Sequence, residues 1–65
     1  MKTKIIQLMS VVKSNCKFEL YSVVPPQGDT IYKLIIDDSN GYSNVRTYDN
    51  YNDARQAFDC YVEGH

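Results

Sequence analysis

The stretch Thr30-Ile31-Tyr32-Lys33-Leu34-Ile35-Ile36-Asp37-Asp38-Ser39-Asn40-Gly41-Tyr42-Ser43-Asn44-Val45-Arg46-Thr47-Tyr48 decides the fold. Two runs rich in β-branched and aromatic residues flank Asn40-Gly41, and both of those turn residues tolerate φ > 0, as a two-residue hairpin loop requires. The pair therefore predicts a β-hairpin of Thr30–Asp37 against Tyr42–Tyr48. A loop of two or four residues sets Leu34 and Ile36 on one face with Val45 and Thr47, because both lengths shift the pairing by an even number.

Working outward, Pro25-Pro26-Gln27-Gly28-Asp29 breaks the chain. Each proline lacks an N–H and fixes φ, and Gly28 allows a reversal. Before it, Phe18–Val24 alternates: Phe18, Leu20, Ser22 and Val24 on one side, Glu19, Tyr21 and Val23 on the other. Ser14-Asn15-Cys16 reads as a turn, since Ser and Asn side chains bond locally to backbone. Lys4–Lys13 carries Ile5, Ile6, Val11 and Val12, which favours a strand. Met1, Ile5, Leu8, Met9 and Val12 also share one helical face, the competing reading. Beyond the hairpin, Asn50 or Asn52 caps a helix over Asp53–Val62, with Asp53 at the positive end of its dipole. Ala54, Ala57, Phe58, Tyr61 and Val62 form its apolar stripe, and Arg55, Gln56, Asp59 and Glu63 face away. The predicted class is α+β: a four-stranded antiparallel sheet of two hairpins, with one C-terminal helix packed on one face. Residues 1–62 form a single small domain. Glu63-Gly64-His65 reads as a tail or tag remnant and is set aside from function.

A chain of 65 residues buries only about 60% of its unfolded surface and is marginal alone. Such scaffolds rely on a disulfide, a metal or a partner subunit. Cys16 and Cys60 permit one bridge, but the absence of a signal-peptide pattern, a spanning apolar run or a glycosylation sequon points to two free thiols in a reducing cytoplasm. Cys60 is expected in the core or partly buried on the helix flank, and Cys16 exposed in its turn. With no metal pattern in view, association with a second copy becomes the expected staple.

Strand parity sharpens that expectation. Carried through the first two loops, it gathers Ile6, Leu8, Val12, Phe18, Leu20, Val24, Tyr32, Leu34, Ile36, Val45 and Thr47 beneath the helix. The opposite face then holds Ile5, Met9, Val11, Tyr21, Val23, Ile31, Ile35, Tyr42 and Tyr48, interleaved with Gln7, Lys13, Glu19, Lys33, Asp37 and Arg46. A contiguous apolar area rimmed by charge marks an interface, and Tyr and Arg are residues that interfaces favour. The candidate protein-binding residues are Met9, Val11, Tyr21, Val23, Ile31, Lys33, Ile35, Arg46 and Tyr48.

Little in the sequence carries chemistry. Asp37-Asp38-Ser39-Asn40-Gly41 invites a calcium loop, yet the two decisive acidic positions hold Ile36 and Thr47. The only histidine is His65, so neither cysteine has a base beside it. Asp49, Asp53 and Asp59 read as first-turn charge and solvated helix face, and Gly28, Gly41 and Gly64 are too scattered for a phosphate loop. No cofactor and no enzymatic activity are expected.

The element order resembles that of some single-strand DNA-binding dimers of the transcription-coactivator type, a likeness of order alone with no shared motif. It implies an alternative in which Tyr21, Tyr42 and Tyr48 stack bases while Lys33 and Arg46 meet phosphate. Charge opposes it. Residues 1–17 hold four lysines and no acid, but residues 18–65 hold three basic and eight acidic residues, a balance of −5. Lys2 and Lys13 also lie about 35 Å apart on an extended strand at ~3.3 Å per residue. A small-ligand binder is a further alternative and would need a polar pocket. The expected function is a non-enzymatic, cytoplasmic binding module acting through protein–protein contacts, a homodimer of the kind found among bacterial or phage accessory and inhibitor proteins.

Overall fold

The computed structural model describes residues 2–64. Met1, counted above in the competing helical stripe, and His65 lie outside the described residues. The elements run β1 (Lys4–Lys13), β2 (Cys16–Val24), β3 (Ile31–Asp38), β4 (Ser43–Tyr48) and α1 (Tyr51–Glu63). The strands form one antiparallel sheet in the order β1-β2-β3-β4. This is the expected ββββα architecture, and Lys4–Lys13 is a strand. The helix runs one residue into the segment assigned to a tail.

The turns differ from expectation in a way that reassigns faces. The two-residue loop with φ > 0 at both positions is Ser14-Asn15, at φ 54° and 64°. Lys13 pairs directly with Cys16, so Cys16 opens β2 instead of closing the turn. At the second hairpin, the Gly41 N–H donates to the Asp38 carbonyl at 3.0 Å and the Asp38 N–H donates to the Tyr42 carbonyl at 2.7 Å. Gly41 alone is left-handed there, at φ 87°. The loop is Ser39-Asn40-Gly41, a tight turn closed by a glycine bulge. The Asp38 carboxylate holds it by accepting from the Asn40 N–H at 3.1 Å.

Three residues is an odd number, and it inverts β4. Leu34 pairs with Arg46 and Ile36 with Asn44, while Ile35 pairs with Val45 and Lys33 with Thr47. Directly opposed residues share a face. Arg46 and Tyr48 therefore belong to the helix side of the sheet, and Val45 and Thr47 to the outer side, the reverse of the expected assignment.

β1 is inverted as well, over part of its length. Val11 pairs with Phe18 and Met9 with Leu20, so Met9 and Val11 lie on the helix side and Val12 on the outer side. A bulge at Leu8 separates Gln7↔Tyr21 from Met9↔Leu20. It resets the parity, leaving Ile6 on the helix side and Ile5 and Gln7 outside.

The core is small. Cys16, Phe18, Leu20, Leu34, Ala54 and Phe58 are buried, and Phe18 meets Phe58 edge to face at 6.5 Å between ring centres. Complete burial of Phe18, Leu20 and Leu34 is worth about 1.5–3 kcal/mol each. The helix begins at Asn50, whose Oδ1 accepts from the Asp53 N–H at 2.8 Å. Its apolar stripe packs inward as its spacing predicts, with Ala54 and Phe58 buried and Ala57, Tyr61 and Val62 half-buried. At the other end Lys13 Nζ donates to the Val62 carbonyl at 2.9 Å, adding a cationic donor to the last turn, where acceptors lack helical partners.

One helix about 10–12 Å wide cannot cover four strands whose axes span roughly 14 Å. α1 packs mainly on β2, β3 and β4 and is tied to β1 through Lys13, so most of β1 projects beyond it. The molecule measures 38 × 23 × 15 Å with a radius of gyration of 12.3 Å. A compact chain of this length is expected near 10.7 Å, roughly.

Candidate protein interface

Of the residues assigned to a protein interface from the sequence, Tyr21, Val23, Ile31, Lys33 and Ile35 share the outer face of the sheet. Met9, Val11 and Tyr48 instead pack against the core from the helix side. Arg46 is on that side too, exposed beyond the helix. The expected cluster is thus divided by the two parity changes.

The outer face that remains is less apolar than parity suggested. Four cross-strand rows cover it: Val12–Lys17–Asp37–Ser43, Ser10–Glu19–Ile35–Val45, Gln7–Tyr21–Lys33–Thr47 and Ile5–Val23–Ile31. Polar groups occupy its centre. The Tyr21 hydroxyl donates to Glu19 Oε2, Gln7 Nε2 donates to the same oxygen at 3.3 Å, and Lys17 Nζ lies 3.9 Å from Glu19 Oε1. The hydrogen bond to Glu19, which stabilises the protonated phenol, raises the Tyr21 pKa above its ordinary value; desolvation adds to this. The expected continuous apolar area is replaced by two apolar margins around a hydrogen-bonded centre.

The largest concentration of exposed apolar side chains lies along β1. Ile5 is 63% exposed, Val12 72%, Ile6 41% and Leu8 40%. From Ile5 to Val12 the strand carries no charge, and its only charged residues are Lys4 and Lys13 at the ends. β1 is an edge strand of ten residues, so one row of its backbone donors and acceptors is unpaired within the sheet. The other edge differs. β4 has six residues, among them Ser43, Asn44, Arg46 and Thr47, a short and polar strand of the kind that discourages pairing. The sequence reading missed Ile6, Leu8 and Val12 as surface residues, having set them beneath the helix. The width of four strands against one helix was the signal that could have exposed them.

The cysteines also exchange places. Cys16 is buried at the start of β2, and Cys60 is exposed; both are free. Cys60 lies two residues past buried Phe58, about 200° around the helix. It borders a shallow, open depression of about 320 Å³ lined by Tyr48, Asp53, Gln56, Ala57 and Cys60. Burial, as the first cause, pushes the Tyr48 pKa up. Among the described residues no group of three or more His, Cys, Asp or Glu is placed to hold a metal ion. No helix among them is long and apolar enough to cross a membrane. The residues assigned to nucleic-acid contact separate: Lys33 and Tyr21 lie outside, while Arg46 and Tyr48 lie on the helix side.

Comparison with protein-family models, with curated proteins and with solved structures gave no match.

Proposed function

We propose that this protein is a small non-enzymatic binding module that acts through protein–protein contact along β1 and the outer-face residues next to it. One observation carries the reading: Ile5, Ile6, Leu8 and Val12 stand exposed on a long edge strand that carries no charge between its terminal lysines and that α1 leaves largely uncovered. Exposed apolar side chains beside unpaired backbone make a template for another chain. The small core supports the same reading, since a domain this short gains stability by association. A module of this kind suits an accessory or inhibitory role in which it occupies a surface of its partner.

The reading makes Ile5 and Val12 dispensable for the fold of a single chain. Replacing both with Lys changes unfolding free energy in dilute solution by no more than about 0.5 kcal/mol, as for substitutions away from buried features. A loss near 2 kcal/mol or more would assign these side chains to the fold and defeat the proposal. The same double variant, used as tagged bait, recovers fewer polypeptide partners than the wild type. Equal recovery by both would also defeat it.

A further inference from the structure

Read inward from its two ends, β1 repeats itself by residue class. Lys4 answers Lys13, Ile5 answers Val12, Ile6 answers Val11, and Gln7 answers Ser10, with Leu8 and Met9 between them. A strand that pairs antiparallel with its own copy brings such positions together, because the two-fold axis lies perpendicular to the sheet and each residue opposes its mirror position.

In a regular strand this pattern would be useless. Residues five and twelve differ by an odd number, so strict alternation sets them on opposite faces, whereas opposed residues across that axis must share one. The bulge at Leu8 removes the conflict. Ile5 and Val12 both lie on the outer face, as do Gln7 and Ser10, while Ile6 and Val11 both lie on the helix side. With Leu8 as the extra residue, the paired positions are symmetric about Met9.

We propose that β1 pairs with β1 of a second copy across a two-fold axis at Met9, joining the two sheets into one of eight strands. In this register Ile5 faces the partner's Val12, Ile6 the partner's Val11, Gln7 the partner's Ser10 and Met9 the partner's Met9. Apolar meets apolar and polar meets polar at every interior position. Both helices end on one face of the joined sheet. The proposal rests on the reading of this protein as a binding module and names its partner as a second copy.

One pair is unfavourable: Lys4 opposes the partner's Lys13 at each end. Like charges directly opposed are destabilising, and salt screens them. This gives self-pairing a signature opposite to that of an acid-flanked strand from another protein, which salt would weaken.

Sedimentation velocity of the full chain, at roughly 1–200 μM protein and at about 20 and 500 mM salt, tests the proposal over the range where the Debye length falls from about 20 to 4 Å. The expected result is a monomer–dimer equilibrium that tightens with salt. Lys4→Glu converts both end pairs to opposite charges and tightens the dimer severalfold at low salt. Val12→Lys, at a position the fold leaves exposed, weakens it by more than tenfold; circular dichroism confirms that both variants are folded. A dimer that neither substitution affects would overturn this register and leave the binding reading in place. A monomer whose tagged form captures other polypeptides, with capture weakened by salt and by Lys4→Glu, would overturn self-pairing in favour of an acid-flanked partner strand. A monomer with no capture dependent on β1 would overturn both readings.

Discussion

Gly41 and Tyr21 each hold a local arrangement on which larger structure depends. Gly41 sits at φ 87°, and apart from Gly41 itself and its two chain neighbours no heavy atom lies within 4 Å of the position its Cβ would take. Gly41→Ala therefore costs backbone strain alone, about 1–2 kcal/mol, and Gly41→Asn costs less because Asn tolerates the left-handed region. Chemical denaturation of the two variants checks the order. Tyr21 retains its proton more tightly in the folded chain than in the unfolded one, through its bond to Glu19. The stability from that difference is fully present below the unfolded pKa, about 10, and is lost as pH rises through the higher folded value. Tyr21→Phe removes this loss, so its unfolding free energy falls less steeply with alkali than that of the wild type. An identical alkaline slope in both proteins would show that the Glu19 bond contributes nothing to it.

The elements were legible where their patterns were long, and illegible where one residue of loop length mattered. The stripe Ala54-Ala57-Phe58-Tyr61-Val62 has one helical reading, and it packs as read. The alternation of Phe18–Val24 likewise placed β2 and β3 correctly on each other. Asn40-Gly41 announced a hairpin but not its register, because the same dipeptide serves a two-residue loop with both residues left-handed or the last two positions of a three-residue loop. The second geometry forms here, stabilised by the Asp38 side chain, and it moved Arg46 and Tyr48 to the other face. The bulge at Leu8 had no marker at all: no Gly or Pro sits there, and the β-branched run reads through it. Five of the nine expected interface residues still share the outer face, because β2 and β3 lie between the two miscounted turns. The helix anchors depend less on such counting. Phe58→Ala removes the ring that meets Phe18 and empties the centre of a six-residue core. It costs about 3–5 kcal/mol, enough to leave a domain of this size largely unfolded by circular dichroism at room temperature.

The shape of the molecule joins these observations to the proposed function. A radius of gyration of 12.3 Å over 65 residues reflects a sheet wider than its helix, with β1 as the overhang. Such a chain has an apolar margin it does not use and a core too small to make it robust. The proposed association along β1 would address both, and it would tie folding to concentration, since pairing stabilises only the folded state. For a two-state dimer, a tenfold rise in concentration adds RT ln 10 of stability, about 1.4 kcal/mol. Unfolding two chains of this length releases roughly 0.27 kcal/mol per kelvin of entropy at the midpoint, so Tm rises about 5 °C per tenfold increase in concentration. Differential scanning calorimetry over two decades of concentration measures this directly. The wild type should climb by about 10 °C, whereas Val12→Lys, with its pairing weakened, should climb much less over the same range. A wild-type midpoint that stays fixed over the same range would mean that the overhanging strand lends this fold no stability through a second copy.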